Sequence, residues 1–301
     1  MDIICEDKAI IQPLNEDWYG GRVAAINMLR LDLVHPVISG NKWYKLKRNL
    51  QAAKDFGATQ VLTFGGAYSN HLIATAAAAQ AHHMPCIGIV RGLYAQNAPS
   101  VTLKTSSDMG MQLVYISTAD YSRKTEPGFQ QELTDKYGDS FIIPEGGANN
   151  EGRMGAADMA LLIPGGYTHV CISVGTGTSF IGLRNALCPS TTVLGFAPFK
   201  GNNDFNSAIV PHLNNKTNEN WHIYTNWHFG GFGKCNNILL QFMNEFYHRH
   251  GIPLDMVYNA KMMYGLKEML SNGVFSKNAR ILCVHTGGLQ GNSSVQDQLD
   301  F

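Results

Sequence analysis

The sequence predicts an α/β protein whose parallel sheets are covered by helices on both faces. Short segments that are almost continuously apolar recur along the chain, for example residues 61–64, 86–90 and 169–174. Such segments are typical of parallel strands that are buried on both faces. Segments with apolar residues at helical spacing alternate with them, and this alternation is the pattern of βαβ units.

The composition excludes several classes of protein. The chain has 301 residues, of which 45% are hydrophobic and 15% are charged, as expected for one large or two modest globular domains. Lysine plus arginine and aspartate plus glutamate both number 23, so the formal net charge is zero. This balance removes the general electrostatic argument for a nucleic-acid partner or an anionic membrane surface.

The cysteines and the first residues predict a cytoplasmic protein. The six cysteines are scattered without a C-x-x-C pair, so we expect free thiols in a reducing compartment. The first residues are acidic and lack the apolar core of a signal peptide, and no apolar run approaches the length of a membrane span. Because the eleven histidines lack metal-ligand spacing, we also expect no metal.

In the first half of the chain, strands and helices are predicted in turn. Residues 22–33 predict one or two strands, and residues 42–56 predict a helix that stops at Gly57. Further strands are predicted at 61–64, 86–90, 112–116 and 141–143. Further helices are predicted at 70–83, 101–109 and 119–137. This order predicts one compact α/β layer.

The second half repeats this order and predicts a second layer. Strands are predicted at 169–174, 192–196, 221–224 and 281–284. Helices are predicted at 154–162, 179–187, around 206–213, at 237–249 and at 262–270. The polar tail 292–301 is predicted to lie on the surface. Two layers of this kind place ligands in a cleft at the carboxyl ends of the strands.

The run Ser39-Gly40-Asn41-Lys42 predicts a tight turn with a lysine at the start of the following helix. A helix start carries unpaired N–H groups and the positive end of the helix dipole, so a lysine there is electrostatically unfavourable. One interpretation is a lysine held in a pocket for covalent chemistry on a carbonyl group. The alternative is a surface lysine that happens to follow a turn.

A second turn follows the strand 169–174 and precedes a helix. It consists of Gly175, Thr176, Gly177, Thr178 and Ser179. Backbone N–H groups at such a turn point to one spot, and the helix dipole favours an anion there. Phe180 stands where a dinucleotide fingerprint requires its third glycine, so a single phosphate is the better ligand. An ordinary strand-to-helix turn is the alternative.

Three further stretches place polar side chains at predicted element ends. Ser69 and Asn70 follow Gly65-Gly66 and open a helix, where they either hold a ligand or simply cap the helix. Thr286 follows an apolar strand, and Tyr258 ends an extended segment. Alone, the last two indicate no more than ordinary packing.

Together these stretches resemble the fold-type-II pyridoxal-phosphate (PLP) enzymes, and within them the 1-aminocyclopropane-1-carboxylate deaminase and D-cysteine desulfhydrase family. The similar segments follow the family's order: 30–32, 39–42, 45–46, 65–66, 69–70, 144–147, 175–179, 230–233 and 285–288. The resemblance implies the two-domain architecture of tryptophan synthase β. The small domain would be 45–146 and the large, cofactor-binding domain 1–44 plus 147–301, with the active site between them.

The resemblance implies PLP as cofactor and a role for each motif. Lys42 would form the Schiff base with PLP, and Asn70 would bond its ring hydroxyl. Residues 175–179 would cradle the phosphate. Tyr258 would lie against the pyridine ring, and Thr286 would face its nitrogen.

The substrate side of the site is also implied. Ser69 would hold the substrate carboxylate or, as in the deaminases, act as a nucleophile. Asn70, His71 and Phe232 complete the expected substrate-binding set. The expected partners are a small amino acid and a second copy of the chain in a homodimer.

Three departures from the family pattern affect the predicted reaction. After Tyr258 the ring-opening deaminases carry a glutamate that pairs with the pyridine nitrogen, and here Asn259 stands in that place. The family's Tyr-Thr-Gly-Lys run accordingly reads 258–261 Tyr-Asn-Ala-Lys. Phe232 replaces a tyrosine that could move a proton. A neutral Asn259 or Thr286 at the nitrogen weakens the electron sink, which favours β-elimination over ring opening.

We therefore predict a PLP-dependent lyase that catalyses β-elimination from a small amino acid such as D-cysteine, giving a 2-oxo acid and ammonia. The alternatives are 1-aminocyclopropane-1-carboxylate deamination, β-replacement, or a PLP-binding protein with little catalysis, for which Phe232 argues. A nucleotide-binding Rossmann enzyme is a further alternative, against which the missing third glycine argues.

Overall fold

The computed structural model describes residues 4–201, 205–214 and 220–301. The strands are β1 Ile10–Pro13, β2 Ala25–Arg30, β3 Gln60–Gly65, β4 Cys86–Arg91, β5 Met111–Ile116, β6 Ser140–Ile143, β7 His169–Ser173, β8 Thr192–Phe196, β9 Trp221–Tyr224 and β10 Arg280–His285. The α-helices are α1 Glu16–Tyr19, α2 Asn41–Asp55, α3 Asn70–Ala81, α4 Tyr94–Asn97, α5 Val101–Asp108, α6 Thr118–Ser122, α7 Pro127–Tyr137, α8 Asn150–Asp158, α9 Thr178–Ala186, α10 Phe205–Ile209, α11 Asn237–His250 and α12 Asn259–Ser271.

The strands of the described residues form two sheets, and the predicted parallel α/β architecture is confirmed. The larger sheet has the order β1-β2-β10-β7-β8-β9, and the smaller has the order β5-β4-β3-β6. All neighbours are parallel except β1 and β2. Because parallel strands are joined by crossovers, the helices cover the sheet faces.

Apolar side chains cover both faces of the smaller sheet. Along β3, Val61 packs into one core cluster while Leu62 and Phe64 pack into another on the opposite face. This alternation follows from the two-residue period of a strand. The first of these clusters also contains Val170 from the larger sheet, so the two sheets share a continuous core.

Small residues bring three helices between the sheets into close contact. A Cβ on Gly155 in α8 would overlap the Tyr44 carbonyl of α2, and one on Gly182 in α9 would lie 2.6 Å from the Arg153 carbonyl oxygen. The predicted domain boundary at residue 44 falls inside α2. The division into two domains stays a prediction.

Several predicted elements differ from the structure. The helix predicted at 119–137 is two helices, α6 and α7, because Pro127 lies in the first turn of α7 and proline disrupts a helix interior. The strand β1 was not predicted. The tail after residue 291 is partly buried: Asn292 is 1% exposed and donates to the Leu254 carbonyl oxygen at 2.9 Å.

Other differences lie at the ends of helices, where capping side chains determine the residue at which a helix begins. Helix α8 begins at Asn150 because the Asn149 side chain accepts the Gly152 N–H, and it continues as a 3-10 helix at Met159–Leu162. The predicted helix around 206–213 is α10 followed by a 3-10 turn at Val210–His212. Across the described residues, none of the helices is both long and apolar enough to cross a membrane.

Candidate active site

The Lys42 turn lies directly against the end of β10. Gly40 is the N-cap of α2 with φ of +71°, a conformation that glycine adopts at little cost. A Cβ on Gly40 would overlap the carbonyl oxygen of Thr286, and one on Gly287 would overlap the Ser39 hydroxyl. The two turns are therefore in backbone contact, and Lys42 and Thr286 belong to one site.

Lys42 combines partial burial with a lowered basicity. Its side chain is half-buried, and the Nζ atom donates to the Asn41 Oδ1 atom at 2.8 Å. Burial lowers the pKa of Lys42 from 10.5 to about 8, although the Asp255 carboxylate raises it. A larger share of the amine is therefore unprotonated near neutral pH than in an ordinary lysine, and the unprotonated amine is the nucleophile.

The turn between β7 and α9 has the geometry of an anion site. Gly177 is the N-cap of α9 with φ of +82°, and no side chain accepts the N–H groups of the first turn. Thr178 and Ser179 are buried, whereas Thr176 is exposed and hydrogen-bonded to Thr178 at 2.8 Å. Open N–H groups and the positive end of the helix dipole fit a phosphate group.

Two contacts connect this turn with the Lys42 helix. The Asn41 amide donates to the Ser179 hydroxyl at 2.8 Å. A Cβ on Gly146 would lie 2.7 Å from the Thr176 side chain, and the Gly146 carbonyl accepts the Lys45 amine at 2.6 Å. Besides the half-buried Lys42, the buried Lys45 therefore lies close to the 175–179 turn.

Lys45 is a residue of the site to which the sequence analysis gave no role. It is 4% exposed, and burial lowers its pKa well below 10.5, with Lys42 adding to this effect. The sequence contained a usable signal for Lys45. It follows Lys42 by three residues in the same predicted helix, and residues three apart lie on the same face of a helix.

The turn between β3 and α3, at the end of the smaller sheet, also contacts the turn that follows β10. A Cβ on Gly288 would lie 2.7 Å from the Asn70 amide nitrogen, so Asn70 touches the turn that follows β10. Ser69 caps α3, and its Oγ atom accepts the N–H groups of His71 and Leu72 at 3.2 and 3.3 Å. Among the described residues no group accepts the hydroxyl hydrogen of Ser69, which is therefore available as a donor.

His71 lies inside the fold. It is 3% exposed, and its Nε2 atom lies 2.9 Å from the Thr63 hydroxyl, which donates to the Ile143 carbonyl. Burial, followed by the charges of Lys45 and Lys42, lowers the pKa of His71 well below 6.5. A neutral imidazole thus links α3 to β3 and β6, and its predicted contact with substrate stays a prediction.

Tyr258 lies beside the 175–179 turn, and a buried carboxylate holds its backbone in place. Asp255 accepts the backbone N–H groups of Val257, Tyr258 and Asn259 at 2.8–3.0 Å and thereby fixes the start of α12. A Cβ on Gly175 would lie 3.4 Å from the Tyr258 hydroxyl. Burial raises the pKa of Tyr258 above 10, so the phenol is neutral.

Asn259 lies behind Thr286. Its Oδ1 atom accepts the Thr286 N–H at 3.0 Å and hydroxyl at 3.2 Å, and its amide donates to the Gly287 carbonyl at 2.8 Å. Asn259 is 0% exposed and Thr286 is 5% exposed. The group at this edge of the site is therefore the neutral Thr286 hydroxyl, which Asn259 holds in place.

Phe232 forms the outer part of the site. Its ring is 54% exposed and meets the Tyr258 ring edge-on, with centroids 5.8 Å apart. The structure thus brings most of the predicted residues together at the carboxyl ends of β3, β7 and β10. They are Lys42, Ser69, Asn70, Gly175, Thr176, Gly177, Thr178, Ser179, Tyr258, Thr286 and Phe232.

Comparison with known proteins places this geometry in a family. The family of pyridoxal-phosphate dependent enzymes matches residues 27–287. A Pyrococcus horikoshii protein, provisionally named a 1-aminocyclopropane-1-carboxylate deaminase, is 27% identical over 295 residues, covering 92% of this chain and 88% of that protein. The D-cysteine desulfhydrase of Salmonella typhi is 25% identical over 282 residues, covering 86% of each.

Solved structures show the same fold. The crystal structure of a homologue of 1-aminocyclopropane-1-carboxylate (ACC) deaminase superposes with a TM-score of 0.84 at 24% identity, covering 98% of this chain and 94% of that one. An O-acetylserine dependent cystathionine β-synthase from Helicobacter pylori gives a TM-score of 0.69 at 13% identity, covering 98% of both. The predicted fold-type-II architecture is confirmed. The chain belongs to the family of pyridoxal-phosphate dependent enzymes, and pyridoxal 5'-phosphate is its cofactor.

Proposed function

We propose that this enzyme is a lyase that catalyses β-elimination from a small amino acid, with D-cysteine as the leading substrate. The observation that carries the proposal is the neutral Thr286 hydroxyl, held by Asn259, at the position proposed for the ring nitrogen. The Asp255 carboxylate is turned towards the backbone N–H groups of α12 and is 0% exposed. A neutral partner supports a weaker electron sink, which suffices when the leaving group is a good one.

The residues present fit PLP. The open N–H groups between Gly175 and Ser179 would hold its phosphate, and the half-buried Lys42 amine would anchor it covalently. Asn70 would bond its ring hydroxyl, and Tyr258 would pack against the ring. When bound, PLP withdraws electrons from the substrate Cα and so makes the Cα proton removable.

The remaining groups would handle the substrate and its protons. The Ser69 hydroxyl, whose oxygen already accepts two N–H groups, would donate its hydrogen to the substrate carboxylate. The Lys42 amine, with its pKa lowered to about 8, would take the proton from Cα as a general base. With D-cysteine the Cβ–S bond breaks, and D-cysteine plus water gives pyruvate, hydrogen sulfide and ammonia.

The relatives support two members of this reaction class. One is named D-cysteine desulfhydrase, and another is provisionally named a 1-aminocyclopropane-1-carboxylate deaminase. Asn259 in place of the deaminases' glutamate favours the first over the second. The expected homodimer belongs to the same proposal and is tested by light scattering of the purified protein.

The test measures sulfide and pyruvate with the purified holoenzyme. D-cysteine, L-cysteine and 1-aminocyclopropane-1-carboxylate are compared, and Lys42→Ala serves as the control without the anchoring amine. We expect sulfide and pyruvate in equal amounts from D-cysteine and none from the control. Release of 2-oxobutanoate and ammonia from the cyclopropane substrate alone would assign the deaminase reaction instead. A holoenzyme that turns over none of them would support a binding protein.

A further inference from the structure

Lys261 is a buried lysine apart from Lys42 and Lys45, and it has no role in the proposed reaction. Lys261 is 2% exposed and lies in the first turn of α12, where the helix dipole disfavours a positive charge. Its Nζ atom donates to the carbonyl oxygens of His228 and Gly231 at 2.9 and 2.8 Å. Because a buried ammonium is costly unless it is paired, these two carbonyls explain its position.

The two carbonyls belong to a tight loop, residues 228–233. Four of its six residues have positive φ: Phe229 at +49°, Gly230 at +92°, Gly231 at +124° and Gly233 at +67°. A positive φ at a phenylalanine persists only when the surroundings enforce it. Within the loop, the Gly231 N–H bonds the His228 carbonyl at 3.0 Å, and the Lys261 amine bonds this same carbonyl.

The loop carries Phe232 to the site. The Phe232 ring stacks on the Phe199 ring at 5.5 Å with an interplanar angle of 9°. On its other side it meets Tyr258 edge-on at 5.8 Å, and Tyr258 lies beside the Gly175 turn. Phe232 therefore lies between Phe199 and Tyr258, and Tyr258 in turn contacts the 175–179 turn.

We propose that Lys261 is a positioning residue: its amine fixes the 228–233 loop so that the Phe232 ring meets Tyr258 edge-on and bounds the space for the substrate side chain. The assignment rests on the proposed function, because it takes Tyr258 and Phe232 to line the substrate site. The proposal also gives a structural reason why this enzyme would prefer small amino acids as substrates. A fixed aromatic ring at this place would limit the size of the substrate side chain.

The test compares Lys261→Met with Lys267→Met in the holoenzyme. Lys267 lies on the same helix with its amine over the Phe242 ring, 5.5 Å from the centroid, so it serves as a matched control. Methionine keeps most of the length and the flexible, unbranched shape of the side chain but removes the donors. We expect hydrogen exchange of amides 228–236 to accelerate by about tenfold or more in Lys261→Met only. This variant loses the two hydrogen bonds from the Lys261 amine to the loop.

Accessibility of the cofactor gives a second readout. Borohydride reduction of the visible absorbance should be several times faster in Lys261→Met than in wild type and unchanged in Lys267→Met. Lys261→Gln, whose amide supplies two N–H donors, should fall between. Unchanged exchange of the loop in Lys261→Met would overturn the proposal, as would equal acceleration in Lys267→Met.

A double variant tests whether the hydrogen bonds of Lys261 affect substrate binding through Phe232. We expect Lys261→Met to raise KM about tenfold with little change in kcat, and to have no further effect on KM in a Phe232→Ala background. Multiplicative effects on KM would show that Lys261 does not act through Phe232. If the wild type turns over no amino acid, the proposed function fails, while the exchange and borohydride measurements still decide whether Lys261 fixes the loop.

Discussion

Two strand-to-helix turns of this enzyme look alike in sequence and differ in what they offer a ligand. Both follow a parallel strand and combine glycine with hydroxyl residues: one links β7 to α9, the other β3 to α3. In the first, the N-cap is Gly177, and no side chain accepts the N–H groups of the helix. In the second, the Ser69 hydroxyl accepts two of them.

The difference teaches that capping decides which kind of site a turn becomes. An uncapped helix start keeps its donors for an outside anion, so the β7–α9 turn suits a phosphate. A capped start has already used those donors, so the β3–α3 turn acts through side chains, Ser69 and Asn70. Composition alone does not distinguish them, because both contain glycine and a hydroxyl residue.

A carboxylate in the uncapped turn should have the largest effect. If the 175–179 turn holds the phosphate as proposed, Thr176→Asp adds a negative charge beside it, and two unit charges about 4 Å apart interact by about 4 kcal/mol near a protein surface. We expect PLP affinity, measured by absorbance titration, to fall at least about a hundredfold. Thr176→Asn, of the same shape without the charge, should bind nearly as wild type. Equal binding by both variants would place the phosphate elsewhere.

Substitution of Ser69 separates capping from substrate binding. Ser69→Ala should lose about 1 kcal/mol of unfolding free energy and about tenfold to a hundredfold of kcat/KM, because both the cap and the donor are gone. Ser69→Asn restores a good cap, so it should recover the stability but not the activity. Urea unfolding and the D-cysteine assay measure the two. Recovery of both by asparagine would reduce Ser69 to a cap.

The Lys42 amine sets a pH dependence. With a pKa of about 8, Lys42 is protonated below pH 8 and neutral above it. The rate of PLP attachment to the apoenzyme should therefore rise about tenfold from pH 7 to pH 9 and then level off. Stopped-flow absorbance gives the rate, with Lys42→Ala as control. A rise that continues beyond pH 10 would mean that burial does not lower the pKa of Lys42.

The smallest effects distinguish the two glycines at the capped turn. A Cβ on Gly65 would lie 2.6 Å from the Leu72 Cγ atom and 2.7 Å from the Ser69 Oγ atom. Gly65→Ala should therefore lose about 1–3 kcal/mol and lower activity a few-fold by displacing Ser69. On Gly66 the nearest atom is 3.6 Å away, so Gly66→Ala should stay within about 0.5 kcal/mol. Equal losses would show that the Ser69 position is not fixed by Gly65.

Local patterns in the sequence were enough to predict the alternating strands and helices and to single out Lys42 and the 175–179 turn as candidates, each with an ordinary structural alternative. Each of these signals lies within a few residues of chain. The signal that broke the helix at Pro127 was equally local, but the apolar spacing on either side concealed it.

Contacts between distant segments could not be predicted in this way. That Asn259 lies behind Thr286 depends on a side-chain direction fixed by the buried Asp255. The contact of Asn70 with Gly288 depends on how the two sheets face each other. The pairing of Lys261 with the 228–233 loop needs the left-handed conformation of that loop. None of these has a signature in a short stretch of sequence.

The contact between the Ser39-Gly40 turn and the Thr286–Gly288 turn also bears on how the enzyme is made. The Gly288 N–H bonds the Ser39 hydroxyl across a sequence separation of 249 residues. The turn that carries Lys42 can complete its contacts only when β10 and the residues after it are in place. Contacts of such long range form slowly. Because burial lowers the pKa of Lys42, we expect the lysine to gain its lowered basicity only when this long-range contact has formed.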